Sequence, residues 1–94
     1  MIELRFTPAA LDDIAGVRLW YGQAGAGHVA RAKVRAIREG IRRLRHPQWS
    51  RAGRELGHGD RIVVIHGHSI IYRLTPEAVI ILRVFGPGQD RPRG

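Results

Sequence analysis

The 94-residue chain contains no cysteine, which excludes disulfide bonds, thiol nucleophiles and zinc sites built on thiolates. Its longest uninterrupted apolar run, Ala78 to Leu82, has five residues, whereas a membrane-spanning helix needs about 20. The first residues, Met1 to Phe6, lack the basic-then-apolar order of a signal peptide. From the length and these absences we expect a cytoplasmic protein with one domain over residues 1–94.

Lysine is almost absent, although the chain is strongly basic. Of the 16 basic residues only Lys33 is a lysine, and eight acidic residues leave a formal net charge of +8. This excess predicts an acidic partner, which is a nucleic acid, an anionic membrane surface or an acidic protein, and composition does not choose among them. The preference for arginine favours bidentate pairing with carboxylates or phosphates over proton-transfer chemistry.

The first half of the chain predicts one strand and two helices. Residues 2–6 alternate apolar and charged side chains, as a strand with one buried face does. Thr7 and Pro8 are the cap and first residue of a helix that we expect over residues 8–23. Residues 25–27 predict the hinge of an antiparallel helical hairpin, whose second helix runs from His28 to Arg45 and ends before Pro47.

The second half predicts a loop and then strands. Residues 48–60 contain a possible short strand at residues 54–56, and strands are expected at residues 61–66, 69–74 and 78–85. This order predicts an α+β fold, in which an N-terminal strand and a helical hairpin precede a three- to four-stranded antiparallel meander, with the helices on one sheet face. Residues 86–94 hold two prolines and three glycines and predict a flexible tail.

Two surfaces stand out in these elements. The second predicted helix carries a basic stripe at helical spacing, beside its apolar stripe; the stripe consists of Arg31, Arg35, Arg38, Arg42 and Arg45. On the last strand, strict alternation predicts that Ile80, Leu82 and Val84 face the helices. The same alternation turns Val79, Ile81 and Phe85 outward beside Arg83, as an apolar patch that a partner covers.

The aromatic pair Trp20-Tyr21 and the histidines His66 and His68 are predicted to have structural positions and to form no binding site. Trp20 and Tyr21, at the end of the first helix, are expected to close one end of the core. His66 and His68 have the i, i+2 spacing of metal ligands, but Gly67 between them indicates a turn and no carboxylate is near in sequence. We therefore expect turn histidines and no metal site.

In its ordered motifs the chain resembles the RelE/ParE superfamily, the toxin halves of bacterial type II toxin-antitoxin pairs, and it is most similar to the ParE branch. The motifs are the helix start Thr7–Ile14, the pair Trp20-Tyr21, the helix end Leu44–Pro47, the strand segments Ile70–Arg73 and Ile81–Phe85, and the closing Gln89-Asp90. One segment departs from the family. Gly86, Pro87 and Gly88 stand where the family places His, a small residue and Arg, so the roles of that His and Arg do not carry over.

The resemblance implies a toxin that arrests growth by poisoning DNA gyrase, without a cofactor or catalytic residue. It also implies silencing by an acidic, ParD-like antitoxin in a hetero-oligomeric complex. For antitoxin contact we expect the outward residues of the last strand and the basic stripe, namely Val79, Ile81, Arg83, Phe85, Arg31, Arg35, Arg38 and Arg42. By family analogy we expect the target to contact Gln89, Asp90 and Arg91.

Two other functions remain open at this stage. The RelE branch cleaves messenger RNA on the ribosome, and here Arg73 and Arg83 would supply cations while His66 or Tyr72 moved a proton. Because Tyr72 and Arg73 are neighbours on a strand, they point to opposite faces and do not line one pocket. The third possibility is a solitary basic module that binds nucleic acid.

Overall fold

The computed structural model describes residues 2–23 and 27–86 of the chain. The elements are β1 (Glu3–Phe6), α1 (Pro8–Tyr21), α2 (Gly27–Arg42), a 3-10 turn (Arg43–Arg45), α3 (Pro47–Ser50), β2 (Arg54–Gly57), β3 (Asp60–Ile65), β4 (His68–Leu74) and β5 (Ala78–Phe85). Gly25 and Ala26 of the predicted hinge lie outside the described residues. So does the predicted tail beyond Gly86.

The strands form one five-stranded sheet in the order β1-β5-β4-β3-β2. Strands β2 to β5 are the expected antiparallel meander, whereas β1 lies beside β5 and runs parallel to it. The α+β fold with a helical hairpin and a mostly antiparallel sheet is therefore confirmed. The helices carry the chain from β1 at one edge of the sheet to β2 at the other edge, and the meander then returns until β5 lies beside β1.

The helices α1 and α2 cover one face of the sheet, and the core lies between these layers. Helix α1 begins at the predicted cap, where the Thr7 hydroxyl accepts a hydrogen bond from the Ala10 amide at 3.1 Å. The buried residues that meet in the core are Ala10, Ile14 and Val17 of α1, Ile37 and Ile41 of α2, Leu44, and Ile70, Tyr72, Val79, Ile81 and Val84 of the sheet. On α2, Ile37 and Ile41 follow the helical spacing of the predicted apolar stripe.

The segment around Pro47 differs from the prediction. Helix α2 ends at Arg42 and continues only as the 3-10 turn, and Pro47 occupies the start of α3 instead of ending a helix. Proline suits this position because the first helical residues have no intrahelical partner for their amides. The buried Tyr72 hydroxyl anchors α3 by donating a hydrogen bond to the Ser50 carbonyl at 2.6 Å, and burial raises the pKa of this hydroxyl.

The face assignment of β5 was wrong for its first half. The register with β4 shifts between Ile71 and Tyr72, so that β5 carries one extra residue at this point. A bulge of this kind reverses which alternate side chains face the core. Val79 and Ile81, expected on the outside, are fully buried under the helices, whereas Val84 is buried as expected.

Two glycines give a matched test of this packing. A Cβ on Gly53 would meet the Tyr72 hydroxyl and lie 2.9 Å from its ring carbon Cζ, whereas a Cβ on Gly16 of α1 meets nothing within 4 Å. We expect Gly53→Ala to destabilise the fold by about 1–3 kcal/mol through overpacking. Gly16→Ala should stabilise it by about 0.5–1 kcal/mol by favouring the helix. Thermal unfolding followed by circular dichroism measures both changes, and equal midpoints for the two variants would contradict this packing.

Candidate functional site

The sheet face opposite the helices, here called the outer face, carries arginines that are held by carboxylates. The register places Arg83 opposite Ile71 and Arg73 two residues further along β4, on the same face. The Arg73 Nε donates to Asp60 at 2.7 Å, and this hydrogen bond, followed by the carboxylate charge, raises the pKa of Arg73. Both arginines are therefore engaged within the chain.

Asp13 of α1 holds the second of these arginines. Its carboxylate accepts hydrogen bonds from Arg83 Nε at 2.7 Å, from an Arg83 terminal nitrogen at 3.1 Å and from the Val84 amide at 2.8 Å. The hydrogen bond that Arg83 donates to Asp13, followed by the carboxylate charge, raises the pKa of Arg83. The Arg83 guanidinium also lies 4.9 Å from the Phe85 ring centre, so the outward positions of Arg83 and Phe85 agree with the sequence prediction.

The three residues named for RNA cleavage are not brought together. His66 is an exposed residue of the β3–β4 turn with a positive φ of 49°. The register puts Arg83 level with Ile62 of β3, which is four residues from His66, and Arg73 level with Asp60, which is six residues away. At about 3.3 Å per residue, these spacings are about 13 Å and about 20 Å along the strands.

The helical layer carries basic side chains without such partners. Arg18 of α1 joins the predicted stripe of α2 to line a shallow groove of about 310 Å³. We call this set, consisting of Arg18, Arg31, Arg35, Arg38 and Arg42, the arginine face; its other lining residues are Val34 and Glu39. All five arginines are exposed. Within the described part of the chain, none of them takes part in a salt bridge.

An apolar groove of about 580 Å³ runs between α2, α3 and β3, and we call it the β3 groove. Strand β2 pairs only with residues 60–62 of β3. Residues 63–65 pair with β4 on one side and have no strand neighbour among the described residues on the other, where they form an open edge. Its exposed apolar side chains are Trp49 at 46% and Val64 at 60% of their free surface. The helix approaches this edge closely, because a Cβ on Gly40 would collide with Ile65.

A smaller cleft of about 260 Å³ lies between α1 and the ends of β4 and β5. Trp20 on its rim is 58% exposed, so the prediction that this residue closes the core was wrong. His68, expected in a turn, begins β4 and is buried, and its Nε2 lies 3.1 Å from the Tyr21 hydroxyl. Tyr21 is the member of the aromatic pair that packs against the core.

Some of the site residues predicted from the sequence are buried in the structure, and others lie outside the described residues. Gln89, Asp90 and Arg91 lie outside the described residues. Val79 and Ile81 are core residues, so a partner reaches them only by opening the core. Residues 2–23 and 27–86 hold no group of three or more side chains arranged as metal ligands, and no helix there is long and apolar enough to cross a bilayer.

Sequence reasoning missed the β3 groove and the role of Asp13. The only sequence signal for the groove was the run of β-branched residues from Ile62 to Ile65, which indicates a strand but not an unpaired edge. In the sequence, Asp13 has only the features of an acidic residue near the start of a helix, where the helix dipole favours it. No local signal connects it with Arg83, 70 residues later.

Comparison with known families identifies the class of this chain. Residues 4–91 match the model for the ParE toxin of the type II toxin-antitoxin system parDE, so the chain belongs to the ParE toxin family. A comparison with curated protein sequences gives no match.

Solved structures have the same fold. A chain of the chromosomal ParDE toxin-antitoxin system from P. aeruginosa matches with a TM-score of 0.81 and 23% identity over 93% of this chain and 97% of that one. A chain of the toxin-antitoxin complex RelBE2 from Mycobacterium tuberculosis matches with a TM-score of 0.66 and 21% identity over 90% of this chain and 96% of that one.

Substitutions of the adjacent residues Asp12 and Asp13 test the contact between α1 and β5. Asp13→Ala removes the acceptor of the Val84 amide and should cost about 1–3 kcal/mol, because this buried amide is left unsatisfied. Asp12→Ala removes an exposed carboxylate that makes no hydrogen bond among the described residues and should leave stability unchanged. Urea unfolding gives both values. A loss of stability that is the same in both variants would show that Asp13 has no special role.

Proposed function

We propose that this chain is the toxin of a type II toxin-antitoxin pair, that it arrests growth by binding DNA gyrase, and that an acidic, ParD-like antitoxin silences it. The observation that carries this proposal is the family match over residues 4–91. The fold similarity to a chain of the P. aeruginosa ParDE system supports the same assignment.

The arrangement of the outer face favours protein binding over RNA cleavage. A ribonuclease needs a base, an acid and cations that are free to meet the developing negative charge. Arg73 and Arg83 are bound by Asp60 and Asp13, and His66 lies far from both along the strands. Cleavage at this face would require both ion pairs to open, so the RelE-like alternative has less support.

The β3 groove is the surface that best fits an antitoxin segment. It offers exposed apolar side chains, which serve as anchors at protein interfaces, beside a strand edge whose backbone groups are available for pairing. Arg83 and Phe85 offer a further contact on the outer face, and the arginine face offers guanidinium groups to antitoxin carboxylates. Val79 and Ile81 are left out of the proposed contact because they are buried. Target contact through Gln89 to Arg91 rests on family analogy alone.

A gyrase assay tests the proposed target. Purified, antitoxin-free toxin is added to a supercoiling reaction, and we expect inhibition with accumulation of cleaved DNA, because a poison traps the enzyme on cut strands. An equimolar amount of the cognate antitoxin should reverse the inhibition. Unaffected supercoiling at micromolar toxin, with translation arrested in a parallel extract, would refute the gyrase assignment in favour of RNA cleavage.

Two exposed tryptophans test the proposed antitoxin site. Trp49 lines the β3 groove, whereas Trp20 lies on the rim of the separate cleft beside α1. Trp49→Ala should weaken antitoxin binding at least tenfold, which corresponds to about 1.4 kcal/mol, because it removes a large apolar anchor. Trp20→Ala is the matched control and should bind normally. Titration calorimetry measures both affinities, and a normal affinity for Trp49→Ala in a folded protein would rule out this groove.

A further inference from the structure

The charges of this chain are divided between its two layers in an unusual way. All four salt bridges among the described residues belong to strand arginines, which use Glu3, Glu55, Asp60 and Asp13. The arginine face of the helical layer has five exposed guanidinium groups and, among its lining residues, the single carboxylate of Glu39. Like charges held together without counter-charges destabilise a surface unless a ligand neutralises them.

The dimensions of the arginine face suit a regular row of anions. Four of its arginines recur along α2 at steps of four, three and four residues from Arg31 to Arg42, so they lie on one side of the helix. At 1.5 Å per residue the row is about 16 Å long. One strand of a DNA duplex presents a phosphate about every 3.4 Å along the helix axis, so a row of this length spans the axial length of about five phosphates.

The composition of the arginine face indicates that its ligand is the phosphate backbone of a nucleic acid duplex. Its lining residues include no aromatic ring, which single-stranded nucleic acids use for base stacking. Its only apolar lining residue, Val34, is partly buried against the core, whereas the centre of a protein interface is apolar and depleted of charge. A row of arginines with neither rings nor apolar anchors contacts phosphates without reading base sequence.

We propose that the arginine face binds the phosphate backbone of a nucleic acid duplex when the toxin is free of antitoxin. Binding is independent of base sequence and uses up to five arginines from α1 and α2. Carboxylates and phosphates compete for the same guanidinium donors. The duplex and an antitoxin seated on this face therefore exclude each other.

The salt dependence of binding tests this inference. The probe is a fluorescein-labelled DNA duplex of arbitrary sequence, titrated with antitoxin-free toxin and followed by anisotropy between about 50 and 200 mM salt. Five phosphate contacts predict a slope of log affinity against log salt of about −4.5, which is a loss of about 500-fold across this range. Arms with duplex RNA and with single-stranded DNA identify the source of the phosphates.

Two double variants that lose the same amount of charge distinguish binding by the arginine face from a general effect of the net charge. Arg35→Gln with Arg38→Gln removes two members of the face and should make the slope less steep by about 1.8. Arg5→Gln with Arg51→Gln removes the same charge from exposed positions outside the face and should leave the slope unchanged. Thermal unfolding confirms that both proteins are folded.

Three outcomes would overturn the inference: no duplex binding at the lowest salt, equal changes of slope in the two double variants, or stronger binding to single strands than to either duplex. Because the assay contains neither gyrase nor antitoxin, these outcomes leave the proposed function standing. Conversely, failure of gyrase inhibition would not alter the salt slope.

Discussion

The carboxylate of Asp13 joins the first helix to the last strand, and the arrangement of the sheet depends on this junction. Strand β1 ends opposite Ile81, so the rest of β5 has no strand neighbour on that side among residues 2–23 and 27–86. There the Asp13 carboxylate accepts a hydrogen bond from the Val84 amide, and the Thr7 hydroxyl donates a hydrogen bond to the Leu82 carbonyl at 2.9 Å. The start of α1 thus satisfies the backbone of β5 at the bulge, where a buried unpaired group would be costly.

The same contact between α1 and β5 determines which arginines pair with carboxylates. The bulge turns Arg83 to the outer face, and Asp13 holds it there, while Asp60 holds Arg73 on the same face. Four carboxylates pair with strand arginines, whereas the five arginines of the arginine face take part in no salt bridge among the described residues. In this chain of the ParE family, the strand arginines pair with carboxylates of the same chain. The surfaces proposed for partners are the β3 groove and the arginine face.

Much of the fold was predictable because its signals are local. The Thr7-Pro8 cap, the helical spacing of Ile37 and Ile41, and the alternation in residues 2–6 each depend on neighbouring residues. The parallel pairing of β1 with β5 was not predictable from local pattern, since it joins the two ends of the chain.

The sites were harder to predict than the fold. A single inserted residue in β5 buried Val79 and Ile81, and no residue type there signals a bulge. The basic stripe was visible as periodicity, but the sequence did not show that Asp13 and Asp60 pair with strand arginines and not with the stripe. In each case the prediction lacked contacts between residues far apart in sequence, namely the register of β4 with β5 and the arginine–aspartate pairs.

In the proposed function, partner surfaces, and not a reaction centre on the outer face, carry the activity of this ParE-family chain. A crystal structure of the chain with its antitoxin distinguishes these two possibilities. We expect antitoxin side chains packed on Trp49 and Val64, with the Arg73–Asp60 and Arg83–Asp13 pairs intact. An antitoxin that leaves the β3 groove empty and opens both ion pairs to cover Arg73 and Arg83 would contradict the proposal.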